Sequence, residues 1–329
     1  MTEKRVAFAC PICDHHEATR FIDFGVQEIV RCGECGLLVS MPQLSAKEIH
    51  TLYEGGCYYT QGRAQRFSSR VAEWVMCIFR FWRARQLLGW VRGSGSKRIL
   101  DIGCGRGYTL AFLKREGCHV YGTQVSRVAA DFAKDKLGLN DVFWGDVSEA
   151  HYPDSFFDLV SIYHVLEHVA DPIAQLEAIR RVLKPEGVLY VEVPNAGGWA
   201  AQALEHHWLA YDLPQHRVHF TPKTLTELLK RCKYDLIRVE FGSLEYSPIT
   251  LMQSIMNALL GGKSVLFRHL TGERSLTRVG CGGWLKLLFH GLVAGLLIIP
   301  VSFVSVIFTL CGFDDTMRVI CRKPKICEF

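Results

Sequence analysis

Two Cys-x-x-C pairs open the chain, Cys10-Pro11-Ile12-Cys13 and Cys32-Gly33-Glu34-Cys35, with eighteen residues between them. Paired thiolates on two tight turns present four sulfurs tetrahedrally to Zn²⁺. A closed set of four leaves no coordination position for a substrate, so Cys10, Cys13, Cys32 and Cys35 are expected to hold a structural zinc. Further on, Asp101-Ile102-Gly103-Cys104-Gly105-Arg106-Gly107 follows an apolar run and opens a helical pattern. Glycines at such a turn let the backbone approach a ligand, and the helix start offers unbonded N–H groups. Asp-x-Gly-x-Gly-x-Gly is not the dinucleotide G-x-G-x-x-G spacing. A third group, His164-Val165-Leu166-Glu167-His168, follows the buried-looking run 157–163. Its residue types suit a general base (His164 or His168), a divalent-metal site built on Glu167, or a loop cap. H-x-x-E-H also spells an inverted zinc-protease motif. That motif needs a continuous helix, whereas this run ends a strand and meets Asp171-Pro172.

The elements that must hold these groups fall into zones of different composition: a Cys-bearing start (1–45), a basic aromatic segment (46–96), an alternating body (97–241), a Gly-punctuated hydrophobic insert (242–313), and a tail (314–329). In the body, apolar runs at 98–102, 120–122, 157–163 and 187–193 alternate with helical patterns at 107–116, 126–137 and 172–183. That rhythm predicts a parallel, doubly wound α/β sheet. Thirteen cysteines and no apolar stretch behind Met1-Thr2-Glu3-Lys4-Arg5 lead to the expectation of an intracellular protein in a reducing compartment.

On DIGCGRG (101–107), GDV (145–147), FDLVSIYHVLEHVADP (157–172), RRVLKPEGVLYVEVPN (180–195) and FTPKTLTELLKRCKYDL (220–236), the body resembles the class I S-adenosylmethionine-dependent methyltransferases. The likeness covers roughly 97–241 plus a final strand near 316–322. It implies a seven-stranded Rossmann-like sheet preceded by a small zinc ribbon and interrupted by a hydrophobic helical insert before the last strand. It also implies S-adenosylmethionine as cofactor. Asp101, Gly103 and Gly105 would cradle the methionine part, Asp146 would face adenine, and Tyr163 would complete the set. Gln124 stands where the family has a ribose-binding acid, and a neutral amide binds hydroxyls more weakly than a carboxylate. The polar cluster His206-His207-Trp208, Asp212 and His216-Arg217-Val218-His219 would arch over the transferred methyl. There a neutral imidazole suits removal of an acceptor proton, and His216 is the first choice.

Charge and hydropathy bear on the acceptor. The net charge is +5, yet 63–98 carries +8 and 263–325 carries +6, leaving −9 for the rest. Basic segments on an acidic body point to an anionic surface, a membrane face or a nucleic acid. The ribbon disfavours nucleic acid, because Asp14, Glu17, Asp23, Glu28 and Glu34 outnumber Arg20 and Arg31. From Leu287 to Phe313 there are 27 residues without a formal charge, enough for a helix of roughly 40 Å against a bilayer core of about 30 Å. Because 316–322 resembles the family's last strand, the chain must return to the side it left. Basic residues flank both ends (Arg274, Arg278 and Lys286; Arg318, Arg322, Lys323 and Lys325), and Pro300 at the midpoint favours a kink or a hairpin of two halves. The expectation is a monotopic or re-entrant anchor at the cytoplasmic face of a membrane. A basic amphipathic helix at 66–91 (Val71, Val75, Ile78 and Trp82 against Arg66, Arg70, Glu73 and Arg80, with Trp74, Phe79, Phe81 and Trp90) either adds to it or packs on the core. Zinc-ribbon methyltransferases of this kind often act on sugars, so the expected acceptor is a lipid-linked glycan or other envelope amphiphile. Other expectations are O- or C-methylation of a prenylated quinone-like ring with Mg²⁺ near Glu167, methylation of RNA, or a non-catalytic S-adenosylmethionine-binding scaffold.

Overall fold

The computed structural model describes residues 8–44, 48, 67–91, 95–261 and 281–325, with no side-chain description for 67–75 and 281–282. Arg66, Arg70, Val71, Glu73, Trp74 and Val75 of the basic helix, and Arg274 and Arg278 before the insert, lie outside the described side chains.

In chain order the strands are β1 (Ala18–Asp23), β2 (Glu28–Cys32), β3 (Leu38–Met41), β4 (Arg98–Ile102), β5 (His119–Gln124), β6 (Val142–Trp144), β7 (Phe157–Tyr163), β8 (Leu183–Pro194), β9 (Val218–His219), β10 (Asp235–Phe241) and β11 (Thr316–Arg322). The helices are α1 (Phe67–Trp90), α2 (Tyr108–Arg115), α3 (Arg127–Leu137), α4 (Pro172–Val182), α5 (Trp199–Leu204), α6 (Pro222–Arg231), α7 (Ser247–Leu260) and α8 (Cys281–Cys311). They fall into two compact units, one of Met1–Thr60, Pro194–Thr224 and Glu240–Met317, the other of Gln61–Val193, Leu225–Val239 and Arg318–Phe329.

The second unit is built on a seven-stranded mixed sheet of order β10-β11-β8-β7-β4-β5-β6. β4 pairs in parallel with both β5 and β7, and β7 with β8. Strands covered on both faces read as unbroken apolar runs, and β7 and β8 are buried along most of their length. The strand order reverses at the β4/β7 boundary, where open α/β sheets bind their ligands. α4 starts where Asp171 caps it, its carboxylate accepting from Ala174 N at 2.9 Å, with Pro172 in the first turn. α1 packs on α2, burying Ala84 and Leu87 among Ile99, Leu110, Leu113 and Leu159. The described half of the basic helix thus serves the core, although Ile78 and Trp82 remain exposed.

β11 inserts between β10 and β8. It runs antiparallel to β8, as the bonds from Asn195 N to Asp315 O at one end and Lys323 N to Gly187 O at the other require.

The first unit has its own sheet, β1-β2-β3-β9, antiparallel throughout. Its core joins Ile29 and Leu38 of this sheet to Trp208 and Tyr211, to Leu251, Met252 and Met256 of α7, and to Ala294 and Val301 of α8. α8 is a single helix with Pro300 inside it, so the expected hairpin does not form. Breaking the helix would strand about eight backbone groups in apolar surroundings; continuing past one proline loses one donor. Gly242 N donates to Thr316 O at 2.8 Å, closing the insert at its base.

At that base Asp314 is caged by hydroxyls of Ser247, Ser305 and Thr309 and by Thr316 N. Burial, with Asp314 beside it, pushes the neighbouring Asp315 up to about 8. A carboxyl raised on folding takes up a proton between roughly pH 4 and pH 8, so its contribution to stability is complete below that window and lost as pH rises through it. Asp315→Asn is therefore expected to raise the melting temperature by about 5 °C at pH 9 and far less at pH 5. An equal shift at both pH values would refute the assignment.

Candidate active site

β4 delivers the Asp101 loop to the strand-order reversal. Asp101 is 4% exposed, stands opposite Ser161 in register, and accepts from its hydroxyl at 2.7 Å. Burial pushes its carboxyl up; the Ser161 bond and Arg83 act the other way. Gly103 has φ +67°, and a Cβ there would lie 2.3 Å from Val165 Cγ2, so only glycine lets this turn pass beneath the His164 loop. Gly105 also has a positive φ, +58°. Gly107 precedes α2 with no side-chain cap, and a helix start of that kind can face an anionic or polar ligand. A glycine turn in left-handed backbone and an uncapped helix start fit the methionine end of the expected cofactor.

At the end of β5, Gln124 is buried and its Oε1 accepts Ser126 N at 3.0 Å. The carbonyl end is committed to the loop, so the group left for a ribose is the amide donor. Asp146 behaves similarly: one carboxylate oxygen accepts the Ser148 N–H (3.0 Å) and hydroxyl (3.1 Å). Tyr163 is buried, its ring 5.1 Å from Tyr190 and beneath the Arg83 guanidinium at 3.8 Å.

His164 leaves β7 with φ +51°, in left-handed backbone. Its Nδ1 lies 3.4 Å from Glu167 and its Nε2 3.4 Å from Glu192, both carboxylates nearly inaccessible. Burial alone would push Glu192 up, but His164, Arg318 (3.5 Å) and Arg83 outweigh it and hold the carboxyl below its ordinary range. Set between the two carboxylates, His164 ties the loop after β7 to Glu167 and to Glu192 of β8. Glu167 and His168 sit in a 3₁₀ turn, Leu166–His168, not in the continuous helix a zinc-protease site requires. Glu192 was not anticipated as a site residue; its signal was a lone acid inside the apolar run GVLYVEV.

In the first unit, the 205–219 segment carries the other histidines. His216 Nδ1 donates to Ala210 O at 2.7 Å, which fixes the tautomer with the lone pair on Nε2. Ser40 gives its hydroxyl proton to His216 O, so His219 Nε2 must donate to Ser40 Oγ at 2.9 Å; His219 is a structural donor joining β9 to β3. Arg217 likewise bonds Leu44 O and Gln43. His206 and His207 lie ring to ring, 3.9 Å apart; burial, with His206 beside it, pushes His207 down. The segment hangs on α7: Ser254 accepts Leu209 N at 2.8 Å and Asn257 donates to His207 O at 3.1 Å.

The four thiols converge. Cys10 and Cys35 sulfurs are 3.6 Å apart, Cys13 and Cys32 3.5 Å, and all four lie within 4.8 Å of one another. These separations are too long for disulfides and close to the ~3.8 Å edge of a tetrahedron with 2.3 Å Zn–S bonds. Burial pushes Cys10 up to about 11 and Cys35 higher still. Four thiolates can share this space only around a cation. The cluster fits a zinc ribbon.

A family model described as a methyltransferase domain matches residues 78–239. Among curated proteins, malonyl-[acyl-carrier protein] O-methyltransferase of Serratia marcescens is 28% identical over 174 residues, 52% of this chain and 66% of that protein. A ubiquinone biosynthesis O-methyltransferase of Dinoroseobacter shibae is 31% identical over 168 residues, 48% of this chain and 67% of the other. Among solved structures, a SAM-dependent methyltransferase from Archaeoglobus fulgidus aligns with a TM-score of 0.46 at 20% identity, covering 75% of this chain and 94% of that one. The chain spans about two thirds of the length of these curated relatives.

Proposed function

We infer the reaction from family membership: the chain belongs to the class I S-adenosylmethionine-dependent methyltransferases. We propose that it methylates a hydroxyl of a lipid-borne acceptor at a membrane surface, a lipid-linked glycan or other envelope amphiphile, and that Cys10, Cys13, Cys32 and Cys35 hold a structural Zn²⁺. The observation that carries the membrane half is within the first unit. The His206–His216 segment is hydrogen-bonded to α7, and α7 packs along the apolar α8.

When bound, S-adenosylmethionine supplies an electrophilic methyl on a sulfonium. Asp101, Gly103, Gly105 and the α2 amides are the groups proposed to hold it, with Gln124 toward ribose and Asp146 toward adenine. The protein's task is then alignment and proton removal. His216 Nε2 takes the acceptor hydroxyl proton as the oxygen gains the methyl, and the imidazolium returns that proton to solvent. His216→Gln is expected to lower kcat by about 10²–10⁴, remove the acid limb of the pH–rate profile, and leave affinity for S-adenosylhomocysteine unchanged. A kcat within threefold of wild type would exclude His216 as base.

A second reading is favoured by the relatives named for ubiquinone biosynthesis: a prenylated quinone-like ring as acceptor. It would use Mg²⁺ at Glu167, and we propose no step through that ion. Transfer of labelled methyl in the presence of an extracted lipid fraction separates the readings. Label in the lipid phase that mild acid releases as a water-soluble glycan supports the first. Label that stays organic after acid supports the second, and label only on RNA or water-soluble molecules refutes both.

For the zinc, one metal per chain is expected by mass spectrometry, and Cys32→Ser should lose it. Because the ribbon shares a core with α7 and α8, the same variant should melt at least about 10 °C lower. Full metal retention, or an unchanged melt, would refute a structural role.

A further inference from the structure

A cleft of about 820 Å³ opens in the first unit between the ribbon sheet and the segment after β8, within the range of roughly 300–1,000 Å³ typical of small-ligand sites. The ribbon therefore builds a wall of this cleft as well as holding a metal. Its floor is aliphatic, from Ile22 and Leu38 on one side and Ala196 and Ala201 on the other. Charged residues of both signs, all exposed, line the cleft as well: Arg31 and Lys223, Asp23 and Glu205. Gln202, also in the lining, donates to Gly197 O. Phe21 stands at the mouth, 36% exposed, with the Arg31 guanidinium 4.6 Å from its ring centre.

This lining selects a ligand class. Asp23 and Glu205 repel a phosphate; Arg31 and Lys223 repel an ammonium group. A ligand of no charge with many hydroxyls meets both constraints, because each hydroxyl donates to a carboxylate and accepts from a guanidinium or ammonium. Sugar rings also have an apolar C–H face that suits the aliphatic floor and an aromatic rim. We propose that this cleft binds a neutral glycosyl unit, the glycan portion of the acceptor. The inference rests on the lipid-linked-glycan reading and assigns it a place in the fold.

Two variants test it, Glu205→Gln at the exposed end of α5 and Arg31→Met on β2, each checked for zinc content and for S-adenosylhomocysteine affinity so that a folding defect is recognised. The full-length protein is probed by saturation-transfer NMR with methyl glycosides of neutral hexoses and 6-deoxyhexoses, and by calorimetric titration with inorganic pyrophosphate. Saturation should reach the glycosides, and pyrophosphate should give no binding heat. Each substitution should weaken that binding about tenfold, and in turnover each should raise KM for a glycolipid acceptor by a similar factor with kcat nearly constant. Binding of pyrophosphate alone, or glycoside binding indifferent to both substitutions, overturns the cleft assignment. So does glycolipid methylation with KM unchanged in both variants, a result that leaves the proposed reaction standing. Glycoside binding lost in both variants, in a protein that methylates no glycolipid, keeps the cleft and refutes the reaction.

Discussion

Replacing Gly103 with alanine is expected to raise the dissociation constant for S-adenosylhomocysteine at least a hundredfold and to abolish methyl transfer, in a protein that still folds. Two costs combine. The backbone sits at φ +67°, where an L side chain is strained by about 1–2 kcal/mol, and the new Cβ would sit 2.3 Å from Val165 Cγ2, an overlap that typically costs 1–3 kcal/mol to relieve by shifting the backbone. Val165 is the second residue of the His164–His168 segment, so the shift moves the loop that His164 ties to Glu167 and Glu192. The double variant Gly103→Ala, Val165→Ala separates the costs. It removes the overlap, keeps the backbone strain, and should recover roughly tenfold of the lost affinity. Calorimetric titration of both variants, with far-ultraviolet circular dichroism as the folding control, decides the matter. An alanine variant that binds within threefold of wild type would mean that the glycine serves the turn but not the cofactor.

The parts of this site written in local pattern were legible before the structure. β4 and β7 fall at 98–102 and 157–163 as their apolar runs predict, because a strand covered on both faces leaves little ambiguity of period or length, and β11 falls at 316–322 as the family resemblance implies. The thiol spacing likewise foretold a cluster, since two tight turns are local structures. What was not legible depends on partners distant in sequence. Of the basic residues after the insert, Lys323 is buried and donates to Leu183 O, and Arg318 pairs with Glu192. Only Arg322 and Lys325 are left exposed to act as a flank. Nothing in the local charge pattern separates these two uses of a cation. The hairpin expected at Pro300 failed for a similar reason: proline's local cost is real, but α7 lies along α8 and the continuous helix keeps that packing. The core shared by ribbon, histidine segment and insert could not be read at all, because the ribbon lies more than 150 residues along the chain from the others.

The proposed anchor carries the other large effect. Leu288, Leu292, Leu296, Ile299, Phe303 and Leu310 recur at helical spacing on α8 and are between 64% and 82% exposed. The opposite side, His290, Ala294, Val301 and Ser305, is buried. Among the described residues, Gly283–Cys311 is the one helix long and apolar enough to cross a membrane, yet its two sides differ. A crossing helix would meet lipid all round; here one side is already covered by protein, and the bond from Gly242 N to Thr316 O brings both ends of the insert to the same place. That geometry favours a helix lying against one leaflet with its leucine row immersed. Each such side chain gains about 1.5–3 kcal/mol on leaving water, whereas a carboxylate in its place costs about 2.5–3.5 kcal/mol at depth. Leu292→Glu with Ile299→Glu is therefore expected to reduce binding to phosphatidylethanolamine–phosphatidylglycerol vesicles at least about a hundredfold, while S-adenosylhomocysteine affinity stays constant. Wild-type protein that remains monodisperse without detergent and fails to float with the vesicles would refute the anchor. A detergent-free dimer that the same substitutions split would refute it too, by setting the leucine row against a second copy of the chain.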